Sequence, residues 1–326
     1  MRSRHDHYPR ADAARCHAMH AAEADLAARW RSEDSRPAGL AAALAAAAAV
    51  ADPVRAVEPL RPWLADTSWL TTRFAEALAL LAADPFARPP LPVVGSGGAP
   101  GGLILAERGA VRLSLQLLPF EIAGALPATA LFVPGRAAIR VLAAGGASLI
   151  LHHVALSEAE AAGAFTAAGA APCTSDPPRP LRTGELLELD TTRTTFTLAG
   201  ASGDVLLLDL SVRPPSQLPV RAYDIASGRL VHVAASRRDS SFRQMALALL
   251  RAMERRAAAP LFLAATQAED FAARWAAMRD LVALAPAAAH PRLVQMAADD
   301  PHPEVRAAAT ATLALYAAPN AEPCPA

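Results

Sequence analysis

The sequence predicts an α+β multidomain chain in three parts: N-terminal helices, a central antiparallel β-sandwich or barrel, and C-terminal α-helical repeats. Three observations predict it. Residues 21–84 show a helical apolar period with capping residues, and residues 85–102 (PFARPPLPVVGSGGAPGG) then break it. From 103 to 235 the pattern changes to short apolar runs separated by turn residues. Beyond residue 236 an internal repeat is visible.

Residues 1–20 are polar and His-rich and are expected to fray. Residues 21–31 form an amphipathic helix. Ser35 and Arg36-Pro37 precede an Ala-rich helix running to Val50. Asp52-Pro53 opens the next helix, with Asp as the cap and Pro in the first turn, and Asp66-Thr67-Ser68 caps one through Trp69, Phe74, Leu78 and Leu81. After the 85–102 linker, strands are expected at 103–107, 111–118, 130–133, 139–142, 148–154, 185–189, 194–198, 205–212 and 230–234. Gly109, Pro134-Gly135, Gly145-Gly146, Gly203 and Ser227-Gly228 mark turns between them. Tyr223-Asp224 adds a strand before the Ser227-Gly228 hairpin. Residues 157–171 read as a small helix or loop, and 172–180 as a second Pro-rich loop.

The repeat aligns Arg243, Arg274 and Arg306, at spacings of 31 and 32. Three residues on stand Ala246, Ala277 and Ala309. Seven on stand Leu250, Leu281 and Leu313, and ten on stand Met253, Leu284 and Tyr316. These offsets share one helical face, so each unit carries an apolar stripe that it can bury only by stacking on its neighbour. Pro260 and Pro291, at offset 17, are expected to start a short second helix in each unit. The third unit reads Asp300-Pro301-His302-Pro303-Glu304-Val305-Arg306 and then small residues. It resembles the short bacterial HEAT-like repeat, over residues 238–318. The first two units keep the Arg and an acidic residue four before it (Asp239, Asp270) but lack the Asp-Pro. The resemblance implies a structural ladder between units made by Asp239, Arg243, Asp270, Arg274, Asp300 and Arg306.

Composition narrows the function. The chain has 326 residues and balances 31 basic against 31 acidic side chains, every basic one an Arg. Such a chain lacks the field of a duplex nucleic-acid binder, so no nucleic acid is expected as partner. Ala makes up 83 residues, and this bias accounts for the positive mean hydropathy. The longest apolar run, 40–51, is too short for a bilayer, and no secretory signal opens the sequence. Cys16, Cys173 and Cys324 are odd in number and far apart, which suits a reducing compartment. A cytoplasmic protein with no membrane partner is expected. The absence of Lys excludes a P-loop and Lys-held pyridoxal phosphate.

Candidates for chemistry are few. Gly95-Ser96-Gly97-Gly98-Ala99-Pro100 misses the dinucleotide fingerprint at Pro100 and precedes a strand, so it reads as linker. His152-His153 lie on one predicted strand and must face opposite ways. Cys173 has no local nucleophile signature. His5, His7, Cys16, His17 and His20 form the densest set of metal-ligand types, without a closed four-ligand pattern. Pro180–Leu189, with its Gly184-Glu185 before an apolar strand, weakly resembles a cupin-like β-barrel. That family's metal pattern needs His-x-His, a following Glu and a later His. Here the two His are adjacent, Glu158 and Glu160 follow in a helix-like stretch, and His232 lies on another strand. The resemblance therefore implies a degenerate barrel without a metal.

The function expected is a non-catalytic protein-binding scaffold using the repeat surface, with a protein partner, no cofactor, and an oligomer through the C-terminal repeat end. The alternative is a small-molecule sensor or enzyme using the barrel interior, with His152, His153, Arg182 and His232 near the pocket.

Overall fold

The structure is a computed structural model that describes residues 13–94, 101–236 and 238–317. The N-terminal part is helical: α1 (Ala13–Asp34), α2 (Leu40–Ala48), α3 (Pro53–Ala56), α4 (Arg61–Ala65) and α5 (Ser68–Ala83). Asp52 caps α3, accepting the Val54 N–H at 2.9 Å. At α5 the Asp66 carboxylate accepts the Ser68 N–H at 2.9 Å, while Thr67, in the cap position, makes no side-chain cap bond. Arg73, buried in α5, pairs with Asp34 and lies over the rings of Trp30 and Trp69.

Thirteen strands follow among the described residues: β1 (Val93–Val94), β2 (Gly101–Arg108), β3 (Val111–Leu118), β4 (Thr129–Phe132), β5 (Arg136–Ala143), β6 (Ser148–Val154), β7 (Cys173–Ser175), β8 (Arg179–Pro180), β9 (Leu186–Asp190), β10 (Thr194–Ala199), β11 (Val205–Val212), β12 (Val220–Asp224) and β13 (Leu230–Ala234). A single turn of helix, α6 (Phe120–Ala123), interrupts them. Every pairing is antiparallel. The largest sheet runs β1-β2-β3-β11-β5-β9; a second runs β10-β6-β7 with β8 on β6; a third runs β13-β12-β4. β4 also lies alongside β10. With β3, β4, β5, β6, β7, β9, β10 and β11 as strands one to eight, the sheets read 1-8-3-6 and 2-7-4-5. That order is a double-sheet jelly roll.

The large sheet is buried on both faces. Leu208, Leu210 and Val212 of β11 pack with Val111 and Leu113 of β3 against Leu40, Leu60 and Leu64. On the other face Leu207 joins Ile139, Val141, Leu187 and Leu189, which meet Leu149 and Leu198 of the second sheet. Strand residues alternate faces, so one strand serves two cores. The N-terminal helices thus share a core with the sheet across the 85–102 segment.

Five helices complete the described chain: α7 (Arg238–Ala252), α8 (Ala259–Ala265), α9 (Phe271–Leu284), α10 (Pro286–Asp299) and α11 (Pro303–Ala317). Their core contains Phe262, Met278, Leu281, Leu293 and Ala309, and takes in Phe165 and Leu218 from the β region.

Two expectations are corrected. The 172–180 loop contains β7 and β8, whose short pairing with β6 is masked in the sequence by prolines. Residues 157–171 hold a short helical stretch ending in the π turn Glu160–Ala164, with Gly163 at φ 113°, and then loop, as expected. Pro291 lies inside α10 rather than starting a helix. Its missing N–H costs roughly 3 kcal/mol in a helix interior, and burial of Ala289, Leu293 and Met296 on one face offsets that cost.

Candidate functional site

A buried ion pair joins two of the repeat units. Arg274, at the start of α9, donates through Nε and Nη2 to the Asp300 carboxylate at 3.1 and 2.8 Å, and both residues are buried. Its Nη1 satisfies the carbonyls of Ala268 and Glu269. Asp300 also accepts the His302 N–H, and its carbonyl accepts from Arg306. Asp270 caps α9 through the Ala272 and Ala273 N–H groups and accepts the Ser236 N–H. Arg243, by contrast, is exposed. The Asp239 side chain lies outside the described residues.

The first repeat helix has an uncovered face. On α7, Phe242, Met245 and Leu249 are 69%, 64% and 61% exposed, and Met253 just beyond it is 57% exposed. Spacings of three and four place these side chains on one stripe. In the second unit the positions 31 residues on are Ala273, Ala276, Asp280 and Leu284: Ala273 and Leu284 are each 6% exposed, and Ala276 and Asp280 are half-buried, Asp280 paired with Arg251 of α7. Arg243, Arg255 and Arg256 are exposed around the α7 stripe. At the other end of the array Leu315 and Tyr316 are exposed. A polar recess of about 570 Å³ lies along the repeat loops, lined by Gln217, Gln267, Arg292, Gln295 and Asp299.

The four candidate residues of the β region do not come together. His152 is fully buried, bonded to Ser175 at 2.7 Å and Thr197 at 2.8 Å, and burial pushes its pKa down, favouring the neutral ring. It points away from the face on which Leu149 and Leu151 meet the barrel core. His153 faces the other way, beside Thr194 and the exposed Asp176. Arg182 lines a surface depression with Arg179 and Glu185. His232 is exposed on β13, in a different sheet. Cys173 is buried, and burial raises its thiol pKa away from the reactive thiolate. Among the described residues no three His, Cys, Asp or Glu group as a metal site; His5 and His7 lie outside those residues.

Two buried polar groups went unread in the sequence. Asp209, on the barrel-facing side of β11, accepts from Gln116 at 2.7 Å, while its other oxygen has no hydrogen bond. Burial pushes its pKa up to about 6, against the pull of Arg213 and Arg112. Its signal was available: a lone acid inside the apolar run VLLLDLSV. Arg221 is fully buried between the rings of Phe132 and Phe165 and donates to the Thr192 carbonyl. Its Nε and Nη1 make no hydrogen bond. Burial lowers its pKa. No local pattern in the sequence announces it.

Residues 229–314 match the family model for HEAT repeats. The C-terminal helices are thus similar to HEAT repeats. The matched HEAT segment begins just before β13 and ends inside α11. Several solved structures are also similar to the chain. They include a conserved protein of unknown function from Pseudomonas aeruginosa (18% identity, 38% of this chain and 54% of that one, TM-score 0.24). A protein with a double-stranded β-helix domain from Klebsiella pneumoniae shares 12% identity over 37% of this chain and 82% of that one, with a TM-score of 0.24. A cupin superfamily protein from Desulfitobacterium hafniense shares 12% over 37% and 84%, with a TM-score of 0.23. The chain spans about half the length of the first. No curated protein matches it. No helix among the described residues is long and apolar enough to cross a membrane.

Proposed function

We propose that the chain is a non-catalytic scaffold whose HEAT array binds a protein partner on the uncovered face of α7. The carrying observation is the stripe Phe242, Met245, Leu249 and Met253, large, apolar and exposed, where the next unit's equivalent positions carry Ala273, Ala276, Asp280 and Leu284, none of them exposed. Exposed apolar side chains in a contiguous row mark interaction surfaces. The exposed Arg243, Arg255 and Arg256 nearby disfavour a second copy of α7 and favour an amphipathic helix with acidic flanks. The reading belongs to a cytoplasmic protein working without cofactor, nucleic acid or membrane. It keeps the chain's division into helices at 21–84, a linker at 85–102, a β-rich domain at 103–235 and repeats at 236–318, with α1 carrying the first helical part back to Ala13. A contact between copies through α11, where Leu315 is exposed, fits the same array.

The test is affinity capture from host lysate with the full chain and with a Met245→Glu/Leu249→Glu variant, followed by cross-link mapping. The expected result is a partner retained by the parent, lost by the variant, and cross-linked through an acidic amphipathic segment. Retention of the same proteins by both would overturn the reading. The second reading, a small-molecule sensor or enzyme in the barrel interior, is favoured by one observation: the unpartnered Asp209 oxygen facing that interior. Mass spectrometry of what denatured protein releases, compared with Asp209→Asn, tests it; an identical release from both would count against it.

A further inference from the structure

Between α5 and the large sheet lies an apolar groove that neither core closes. Two cavities of about 910 and about 850 Å³ run into one another, sharing Phe74, Leu78, Val93 and Leu103 as walls. Leu117 and Leu206 floor the first. Leu78, Val93 and Leu117 are exposed, so a large apolar surface faces outward here rather than into the fold. Groups able to hydrogen-bond stand at the ends: Thr67 and Thr71 line one end, Arg88 the other. Glu23 is held by the Arg88 backbone N–H.

We propose that this groove binds a long-chain carboxylate, with the acyl chain along Phe74, Leu78, Leu103 and Leu206 and the carboxylate at Arg88. Each of the two cavities lies within the volume range of small-molecule pockets. The shared middle of the groove, walled by Phe74, Leu78, Val93 and Leu103, carries no polar side chain and suits a flexible hydrocarbon. A cation at one end fixes the head group. The chain's own terminal segments are unsuited to fill the groove: residues 1–12 and 318–326 contain few large apolar side chains. The proposal stands independently of the HEAT surface.

The test uses the full chain and dansyl-undecanoate as a fluorescent probe, displaced by dodecanoate, decanoate and dodecanol. Saturable, blue-shifted binding is expected, with affinity falling about fourfold for each buried methylene removed. Leu78→Arg, at an exposed position, should abolish uptake without moving the thermal midpoint. Arg88→Glu should weaken dodecanoate about tenfold, the loss of one charge-assisted contact, and leave dodecanol unchanged. No saturable binding, or binding by Leu78→Arg equal to the parent, overturns the proposal. So does equal loss of acid and alcohol in Arg88→Glu. Binding to phosphatidylglycerol vesicles without uptake of free dodecanoate, or a Leu78→Arg variant that only turns a dimer into a monomer, would overturn it too.

Discussion

α7 and α9 carry the same repeat pattern and meet opposite fates. Arg243 and Arg274 are equivalent in sequence, yet one is exposed and the other buried against Asp300. Ala246 is exposed and Met253 is 57% exposed, whereas Ala277 and Leu284 are buried. The pattern marks a face for stacking; position in the array decides whether anything stacks on it. α9 packs against α7, α8 and α10, whereas the main helical neighbour of α7 is α9. A repeat read from sequence therefore names surfaces, and its ends name interfaces.

The comparison breaks first at the arginines. Arg274→Ala should cost about 3–5 kcal/mol, because it strands the buried Asp300 charge. Arg243→Ala should stay within about 0.5 kcal/mol. Denaturant unfolding of both variants checks this, and similar losses at the two positions would erase the distinction. Leu281→Ala should cost about 2–5 kcal/mol by leaving a cavity, whereas Leu249→Ala should change stability by less than about 0.5 kcal/mol. A large loss at Leu249 would mean that the α7 face is covered in the isolated protein.

A third experiment sets a paired buried carboxylate against an unpaired one. Asp300 has a guanidinium; Asp209 has an amide and an empty oxygen. The folded-state pKa of Asp209, about 6, lies above the unfolded value of about 3.9. The folded state thus holds its proton over a wider range. The stabilisation is present below about pH 4 and is lost as pH rises through 6, amounting to roughly 3 kcal/mol by pH 7. Asp209→Asn should then be more stable than the parent at pH 7 by up to about 3 kcal/mol, converging with it near pH 4. A constant difference across pH 4–7 would remove the titration from the account. The smallest effect is the helix cap: Asp270→Ala should lower the unfolding free energy by about 1 kcal/mol, read by the same denaturation curves.

Much of the fold was legible because its patterns are local. β3, β6, β11 and β13 fall on the expected residues, since each is an apolar run closed by Gly or a charged turn. The Asp52-Pro53 helix start was equally plain. β7 and β8 were hidden because their pairing with β6 is a long-range choice made despite neighbouring prolines. Pro291 was misplaced for a similar reason: tertiary burial of Leu293 and Met296 overrides its local preference. Of the site, the Arg274–Asp300 contact sits on residues the repeat had singled out. Its uncovered counterpart did not show, because exposure depends on which neighbour packs against a face. His152, His153, Arg182 and His232 were grouped by residue type, and strand register separates them. Arg221 draws its surroundings from β4, the Phe165 segment and the 190–194 turn, which no local window contains.

The double use of β11 bears on synthesis. Leu40, Leu60 and Leu64 await Leu208 and Leu210 for part of their cover. At about 5–20 residues per second, a ribosome completes β11 roughly ten seconds after α5. During that interval β2 and β3 offer only partial shelter, and the barrel that β11 also closes stands open. A nascent chain halted before residue 205 is then a client for chaperones, with two unfinished cores rather than one finished half.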